Sequence, residues 1–447
     1  MIRFIDLFSG CGGLSLGLSL SGAQGLFAIE RDSMAFRTFK ANLVDRQLPG
    51  TRIFDWPQWL ERRAHPIDEL LATHSDQLLA MKGLEIELIA GGPPCQGFSF
   101  AGRRNADDPR NQLFRRYLEV VRLVKPTAVL LENVPGMAVP HGTRNLRVGT
   151  SALARDGSYF AALKEELGSM GYDVEGRFLD ASSFGVPQRR TRLIVLGALR
   201  ERMPPSMEEP AKEFFNRLEA EREGFVRSLC LELPVSAEDA IGDLSILGKD
   251  GRWMGLRECE DPESPRGFLQ LNYDGRRARS AYQMMMHAGV DSVDMDSMRL
   301  ARHNDAVRFR FREIIETCRQ GVRMSDSDRD SFKLRKHRIY PMSAADPAPT
   351  VTTLPDDILH FRDPRILTVR EYARLQSFPD WFIFKGKYTT GGDRRKRECP
   401  RYTQAGNAVP PLLAMAIGRT LAGWLSDYSV PGQDTRKPGQ QPLAIAA

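Results

Sequence analysis

Phe4-Ile5-Asp6-Leu7-Phe8-Ser9-Gly10-Cys11-Gly12-Gly13-Leu14 runs from a strand-like apolar segment through a glycine-rich turn into helix-forming sequence. Glycines let the backbone turn tightly and approach a ligand closely, and the start of the following helix offers free N–H groups. The spacing is not the full G-x-G-x-x-G of a dinucleotide site, so a nucleoside without a diphosphate fits as well, as does a plain turn. Cys11, set between glycines, reads as a small packing residue rather than a nucleophile.

The same rhythm continues outward. Candidate strands are Ile2–Phe8, Gly25–Glu30, Thr51–Asp55, Ile86–Ala90, Ala128–Glu132, Asp173–Leu179 and Leu193–Leu199. Between them, Leu14–Ser21, Met34–Asn42, Gln112–Val124 and Tyr159–Met170 carry apolar residues at helical spacing. This alternation predicts an α/β fold with a parallel sheet and crossover helices, whose ligands sit beyond the carboxyl ends of the strands. Glu61–Lys82 reads as a helical insertion, and residues 200–233, rich in charge, as a solvated helical connection. Residues 245–360 lose the rhythm and suggest a second, irregular domain. Order returns at Thr368–Phe378 and in the apolar helix Pro411–Trp424, and the Pro/Gly/Gln-rich tail from Tyr428 is expected to be disordered.

Composition narrows the classes. The 447 residues are 42% apolar and 27% charged, with 63 Lys and Arg against 57 Asp and Glu, a mild net +6. No apolar run reaches the roughly 20 residues of a membrane span. Met1-Ile2-Arg3-Phe4 opens into a strand rather than a signal peptide, and six cysteines without a C-x-x-C pair suggest neither a disulfide scaffold nor a metal knuckle. The expectation is a reduced, intracellular protein that binds no metal and no membrane.

Chemistry gathers at the strand ends. Glu30 closes the second run, where a carboxylate can accept bonds from ribose hydroxyls, and Asp55 closes the third; singly either reads as a solvated strand end, and with the glycine loop they line up as a nucleoside pocket. Gly91-Gly92-Pro93-Pro94-Cys95-Gln96-Gly97-Phe98-Ser99 follows the fourth; a cysteine on so rigid a loop is placed for attack rather than packing. Glu132 leaves an apolar strand partly desolvated, which suits an acid or hydrogen-bond donor. Gln188-Arg189-Arg190-Thr191-Arg192 precedes the seventh strand, and its arginines are either a solvated face or anion and carbonyl binders.

These residues carry a resemblance. The chain resembles the DNA cytosine-5 methyltransferases of bacterial or phage type, through Asp6–Leu18, Gly91–Ser99, Glu132–Val134, Gln188–Arg192, Arg365–Asp380 and Gln404–Pro410, in the family's order. The resemblance implies a class I methyltransferase fold: a Rossmann-like doubly wound sheet in residues 1–244 and 361–427, with a smaller target-recognition domain in 245–360. It implies S-adenosylmethionine as cofactor, held by Phe8, Gly10, Gly12, Gly13, Glu30, Asp55, Trp56, Pro94, Leu113 and Asn407, although Arg31 and Trp56 depart from the family's usual residues. Cys95 would add to C6 of a flipped cytosine, Glu132 would bind N3 and the exocyclic amine, and Arg190 and Arg192 would serve both. Gln96 and Ser99 would touch DNA. So would Arg394, Arg395, Lys396 and Arg397 of the loop Lys385–Arg401, which holds seven basic residues against two acidic ones.

Double-stranded DNA is the partner so implied, with a restriction endonuclease or other defence component accompanying a monomeric, cytoplasmic enzyme. Three rivals stay open. An RNA cytosine-5 methyltransferase shares the scaffold, but Cys230, Cys259 and Cys318 are not followed by the Phe-Thr of such relatives. The others are a catalytically idle DNA-binding module and a nucleotide-dependent oxidoreductase.

Overall fold

Apolar runs with β-branched and aromatic residues form six strands in the computed structural model: β1 (Arg3–Leu7), β2 (Gln24–Ile29), β3 (Leu88–Gly91), β4 (Ala128–Asn133), β5 (Tyr172–Asp180) and β6 (Thr191–Leu199). The structure describes residues 1–46, 53–84, 86–94, 113–139, 158–247, 255–261, 264–273, 277–290, 295–334, 339–390, 394 and 397–427. The sheet order is β2-β1-β3-β4-β6-β5. β1 pairs parallel with β2 and β3, and β3 with β4, whereas β6 runs antiparallel to both β4 and β5.

Two sequence expectations are corrected here. The sheet is mixed rather than all parallel, because the short link from Asp180 to Thr191 cannot hold the dozen or more residues of a parallel crossover. Of the expected strand Thr51–Asp55, Thr51 and Arg52 lie outside the described residues, and the described part forms an isolated bridge between Phe54 and Gly25.

Fourteen α-helices fall among the described residues. The first half holds α1 (Gly13–Leu20), α2 (Ser33–Phe39), α3 (Ile67–Thr73), α4 (Ser75–Met81), α5 (Leu113–Val124), α6 (Tyr159–Ser169) and α7 (Pro210–Ser228). The second holds α8 (Ala237–Ile241), α9 (Ala281–His287), α10 (Asp305–Thr317), α11 (Asp326–Ser331), α12 (Val369–Leu375), α13 (Arg401–Asn407) and α14 (Pro411–Asp427). Every residue of α1 is buried, because the returning α14 packs along it. No single described helix is long and apolar enough to cross a membrane.

The charged 200–233 stretch is more than a solvated connection. Ala211, Phe214, Phe215 and Leu218 recur at helical spacing on α7 and are buried, with Phe214 edge-on to Trp424 of α14 at 5.9 Å.

Within 245–360 lies a hairpin of β7 (Leu256–Asp261) and β8 (Ser264–Leu271), and the two-residue strands β9 (Tyr340–Pro341) and β10 (Ile358–Leu359) pair with each other. Ile314, Met324, Ile339, Leu359 and Ile366 form a small core of their own. Buried charge flanks this region: Arg374 meets both Asp243 (3.0 Å) and Asp380 (2.7 Å), all three buried, and Asp363 accepts from Ile246 N (2.8 Å). Arg365 likewise bridges Asp363 and Glu371.

Candidate active site

β1 ends in a loop whose backbone only glycine and strain permit. Phe8 takes φ 63°, Gly10 φ 56° and Gly12 φ 100°. A Cβ on Gly13 would lie 2.2 Å from the carbonyl oxygen of Val409, so the loop rests directly on the segment that closes the fold. Space is open above Gly10, where an added Cβ would meet nothing within 4 Å.

Glu30, at the end of β2, accepts hydrogen bonds from Gly10 N (3.0 Å) and Asp32 N (2.7 Å). Burial pushes its carboxyl above the usual range, against the two N–H groups. It therefore braces the glycine loop from below. Asp6 is fully buried under the same loop. Its Oδ2 accepts from Ser15 Oγ at 2.6 Å, and its Oδ1 has no hydrogen-bond partner among the described residues. Desolvation raises the Asp6 carboxyl to about 7. Cys11 is buried with its Sγ 3.6 Å from the Gln404 carbonyl, and burial lifts its thiol to about 12, in keeping with a packing role.

Asp55 is exposed. Trp56 is a different matter. Its indole is only 6% exposed, lies edge-on to Phe36 at 6.0 Å, and donates its Nε1–H to Leu60 O. The indole packs beside Phe36, Phe39 and Phe54, which build an aromatic core next to Asp55.

The second half of the site is the junction of β4 and β6. Glu132 and Arg192 are diagonal neighbours across that antiparallel pair, and Arg192 Nε stands 2.8 Å from Glu132 Oε1 with both side chains 12% exposed. A Cβ on Gly92 would lie 3.5 Å from Glu132 Oε2, and Asn133 Nδ2 donates to Pro93 O at 3.2 Å. The start of the Pro93-Pro94 loop is thus held against the Glu132 carboxylate. Cys95, Gln96 and Ser99 lie outside the described residues, as do Arg395 and Lys396.

Arg190 does not join this pair. Its guanidinium is buried and donates to Val351 O (3.4 Å) and Ala408 O (3.0 Å), because the chain returning from the second region packs over β6 at that point. Arg189 pairs with Asp346. Gln188, which sequence reasoning did not single out as a site residue, is fully buried. It donates to Leu375 O and Gln376 Oε1 while accepting from Val351 N. Its place in a polar run beside arginines hid that role.

Leu113 and Pro94 are half-buried at the same strand edge. Asn407 is exposed at the end of α13, two residues before the carbonyl that touches Gly13. In the basic loop Arg394 and Arg397 are exposed, but Lys387 pairs with Glu398, and Arg401 is buried against Asp261 at 2.8 Å.

The family described as C-5 cytosine-specific DNA methylase matches residues 2–423. Type II methyltransferase M.DdeI of Desulfomicrobium norvegicum is 30% identical over 439 residues, covering 96% of this chain and 90% of the relative. Type II methyltransferase M1.HphI of Haemophilus parahaemolyticus is 28% identical over 425 residues, covering 94% and 86%. A crystal structure from E. coli, described as a DNA modification methyltransferase encoded within a prophage, superposes with TM-score 0.59 at 23% identity, covering 95% of this chain and 100% of that one. At that identity the superposition speaks for the fold alone.

Proposed function

Because this chain belongs to the C-5 cytosine-specific DNA methylase family and acts on DNA rather than RNA, we propose that it methylates C5 of a flipped cytosine through Cys95 and Glu132. The Cys95 thiolate adds to C6, which breaks the ring's aromaticity and makes C5 an enamine carbon. Glu132 hydrogen-bonds N3 and the exocyclic amine, and Arg192 orients that carboxylate. C5 forms a bond to the incoming methyl, a base takes the C5 proton, and the C6–sulfur bond breaks to return the thiolate. Since C6 is inaccessible within the stack, the base is extruded first.

S-adenosylmethionine, when bound, supplies an electrophilic methyl group. Open space above Gly10, the orphaned Asp6 Oδ1 beneath and the exposed Asp55 carboxylate fit a nucleoside-bearing cofactor at the first three strand ends. Phe8, Gly10, Gly12, Gly13, Glu30, Asp55, Trp56, Pro94, Leu113 and Asn407 would surround it. The type II methyltransferases among the relatives support a place in restriction-modification beside a cognate endonuclease.

The observation that carries this reading is the Glu132–Arg192 pair abutting Gly92–Pro94. Methyl transfer from labelled S-adenosylmethionine onto duplex DNA, with transfer RNA and buffer as controls, tests it; label on transfer RNA alone would overturn it.

A further inference from the structure

β5 ends the sheet on one side, and its two edges differ. One edge pairs with β6 along its whole length, from Tyr172 opposite Leu199 to Asp180 opposite Thr191. Two bonds that continue this ladder show which backbone groups it uses. Arg200 N donates to Gly171 O and Ala181 N donates to Arg190 O, both at 3.0 Å, so the odd-numbered residues of β5 face β6. In an antiparallel ladder the alternate residues turn the other way. Val174, Gly176 and Phe178 therefore aim their N–H and C=O groups outward, and among the described residues nothing bonds them. The far side of the sheet is less open, since Gly25 of β2 donates to Ile53 O and accepts from Asp55 N.

An unpaired edge is a template for another extended strand. The side chains of this one fit a reversed copy of itself. Glu175 and Arg177 flank Gly176, so opposite charges stand at equal distances from a residue without a side chain. With a second β5 antiparallel and Gly176 facing the partner's Gly176, Glu175 lies opposite the partner's Arg177, and Val174 opposite the partner's Phe178. Opposite charges and aromatic–β-branched pairs are both stabilising across antiparallel strands. Shifting the register by two residues either way sets Glu175 against the partner's Glu175, or Arg177 against the partner's Arg177, so charge selects one pairing. Phe178 is 55% exposed, whereas Tyr172, Val174 and Leu179 of the same strand are buried. The Phe160 ring lies where a Gly176 side chain would stand, which gives an incoming phenylalanine an apolar neighbour.

We propose that two copies of this chain join through their β5 edges, antiparallel about a two-fold axis at Gly176, into one continuous sheet. The proposal stands against the monomer that the resemblance implies, and it does not depend on the methylation reading. One strand from each copy is a small contact, so association should follow concentration.

The test uses the full chain in sedimentation velocity across the micromolar range, with hydrogen exchange read at single amides. Wild type should pass from one chain to two as concentration rises, and the amides of Val174, Gly176 and Phe178 should exchange more slowly in the dimer. Glu175→Arg should weaken association about tenfold, because arginines then face arginines on both sides of the axis. Glu175→Arg/Arg177→Glu should restore it, since the pairs are reversed rather than lost. Phe178→Lys should weaken it by a similar factor. Thermal unfolding at a concentration where wild type is a single chain separates lost association from lost folding. A chain that stays single at every concentration would overturn the proposal. So would a dimer whose Val174, Gly176 and Phe178 amides exchange as in the single chain, or one that folded Glu175→Arg and Phe178→Lys variants leave unchanged.

Discussion

Arg192 Nε lies 2.8 Å from Glu132 Oε1 across the antiparallel β4–β6 pair, so the carboxylate most central to the proposed chemistry is aimed by a strand that reverses the sheet's direction. Glu132→Gln should lower kcat by at least a hundredfold while S-adenosylmethionine binding stays intact, since the amide keeps the shape but cannot serve N3 as a carboxyl does. Arg192→Gln should lower kcat less, by mis-aiming Glu132. Single-turnover methylation with calorimetric cofactor titration separates the two effects, and equal losses in both variants would assign Arg192 its own contact with the base.

Cys95→Ser should abolish methylation and leave duplex binding largely intact, because a hydroxyl is a far weaker nucleophile at neutral pH. Duplex DNA with 5-fluorocytosine at the target should give a denaturation-resistant adduct only with S-adenosylmethionine present, as fluorine cannot depart as a cation. Peptide mapping should place the bond on Cys95. Cys11, buried with a thiol near 12, should stay unmodified, and an adduct there would overturn the assignment.

Asp6 predicts a pH dependence of stability. Burial raises its carboxyl from 3.8 to about 7, so the folded state keeps a proton that the unfolded chain releases. Stability from this group is fully present below about pH 4 and is lost as pH rises through about 7. Asp6→Asn should flatten that part of the profile in urea unfolding at pH 5 and pH 7.5, and an unaltered difference between the two would show that Asp6 is already ionised in the fold.

Arg374 holds two buried carboxylates. Arg374→Met should destabilise the protein by about 3–5 kcal/mol, because Asp243 and Asp380 are left buried without their cation. Burial alone would raise Asp380, but Arg374 and His287 hold it at about 2. Its contribution is thus present above about pH 4 and lost as pH falls through about 2. Denaturation midpoints of wild type and variant between pH 2 and 7 check both points.

Arg394→Gln/Arg397→Gln should weaken binding to every duplex and lower the salt slope by about two, since both side chains are exposed in the basic loop. A slope equal to wild type would assign them to solvent.

The sequence by itself determined the elements and the chemistry placed at their ends. β1, α1, β2 and β4 follow from short apolar runs alternating with stretches of helical spacing, and Glu30, Asp55 and Glu132 are legible as carboxylates that close such runs. The burial of the apolar helix at Pro411–Trp424 was legible too, but that it lies along α1 was decided by the fold. Periodicity, however, describes one element at a time. Only the tertiary structure decided that β6 inserts antiparallel beside β4, and hence that Arg192 reaches Glu132 while Arg190, two residues away in the same basic run, bonds carbonyls far along the chain. It likewise turned Trp56 into an aromatic core, buried Arg401 from within a basic loop, and hid Arg374 between Asp243 and Asp380. The reason is common to all of these: whether a charged or amphipathic side chain meets water, a ligand or a buried partner depends on what the distant chain lays against it, and a local sequence pattern carries no record of that packing.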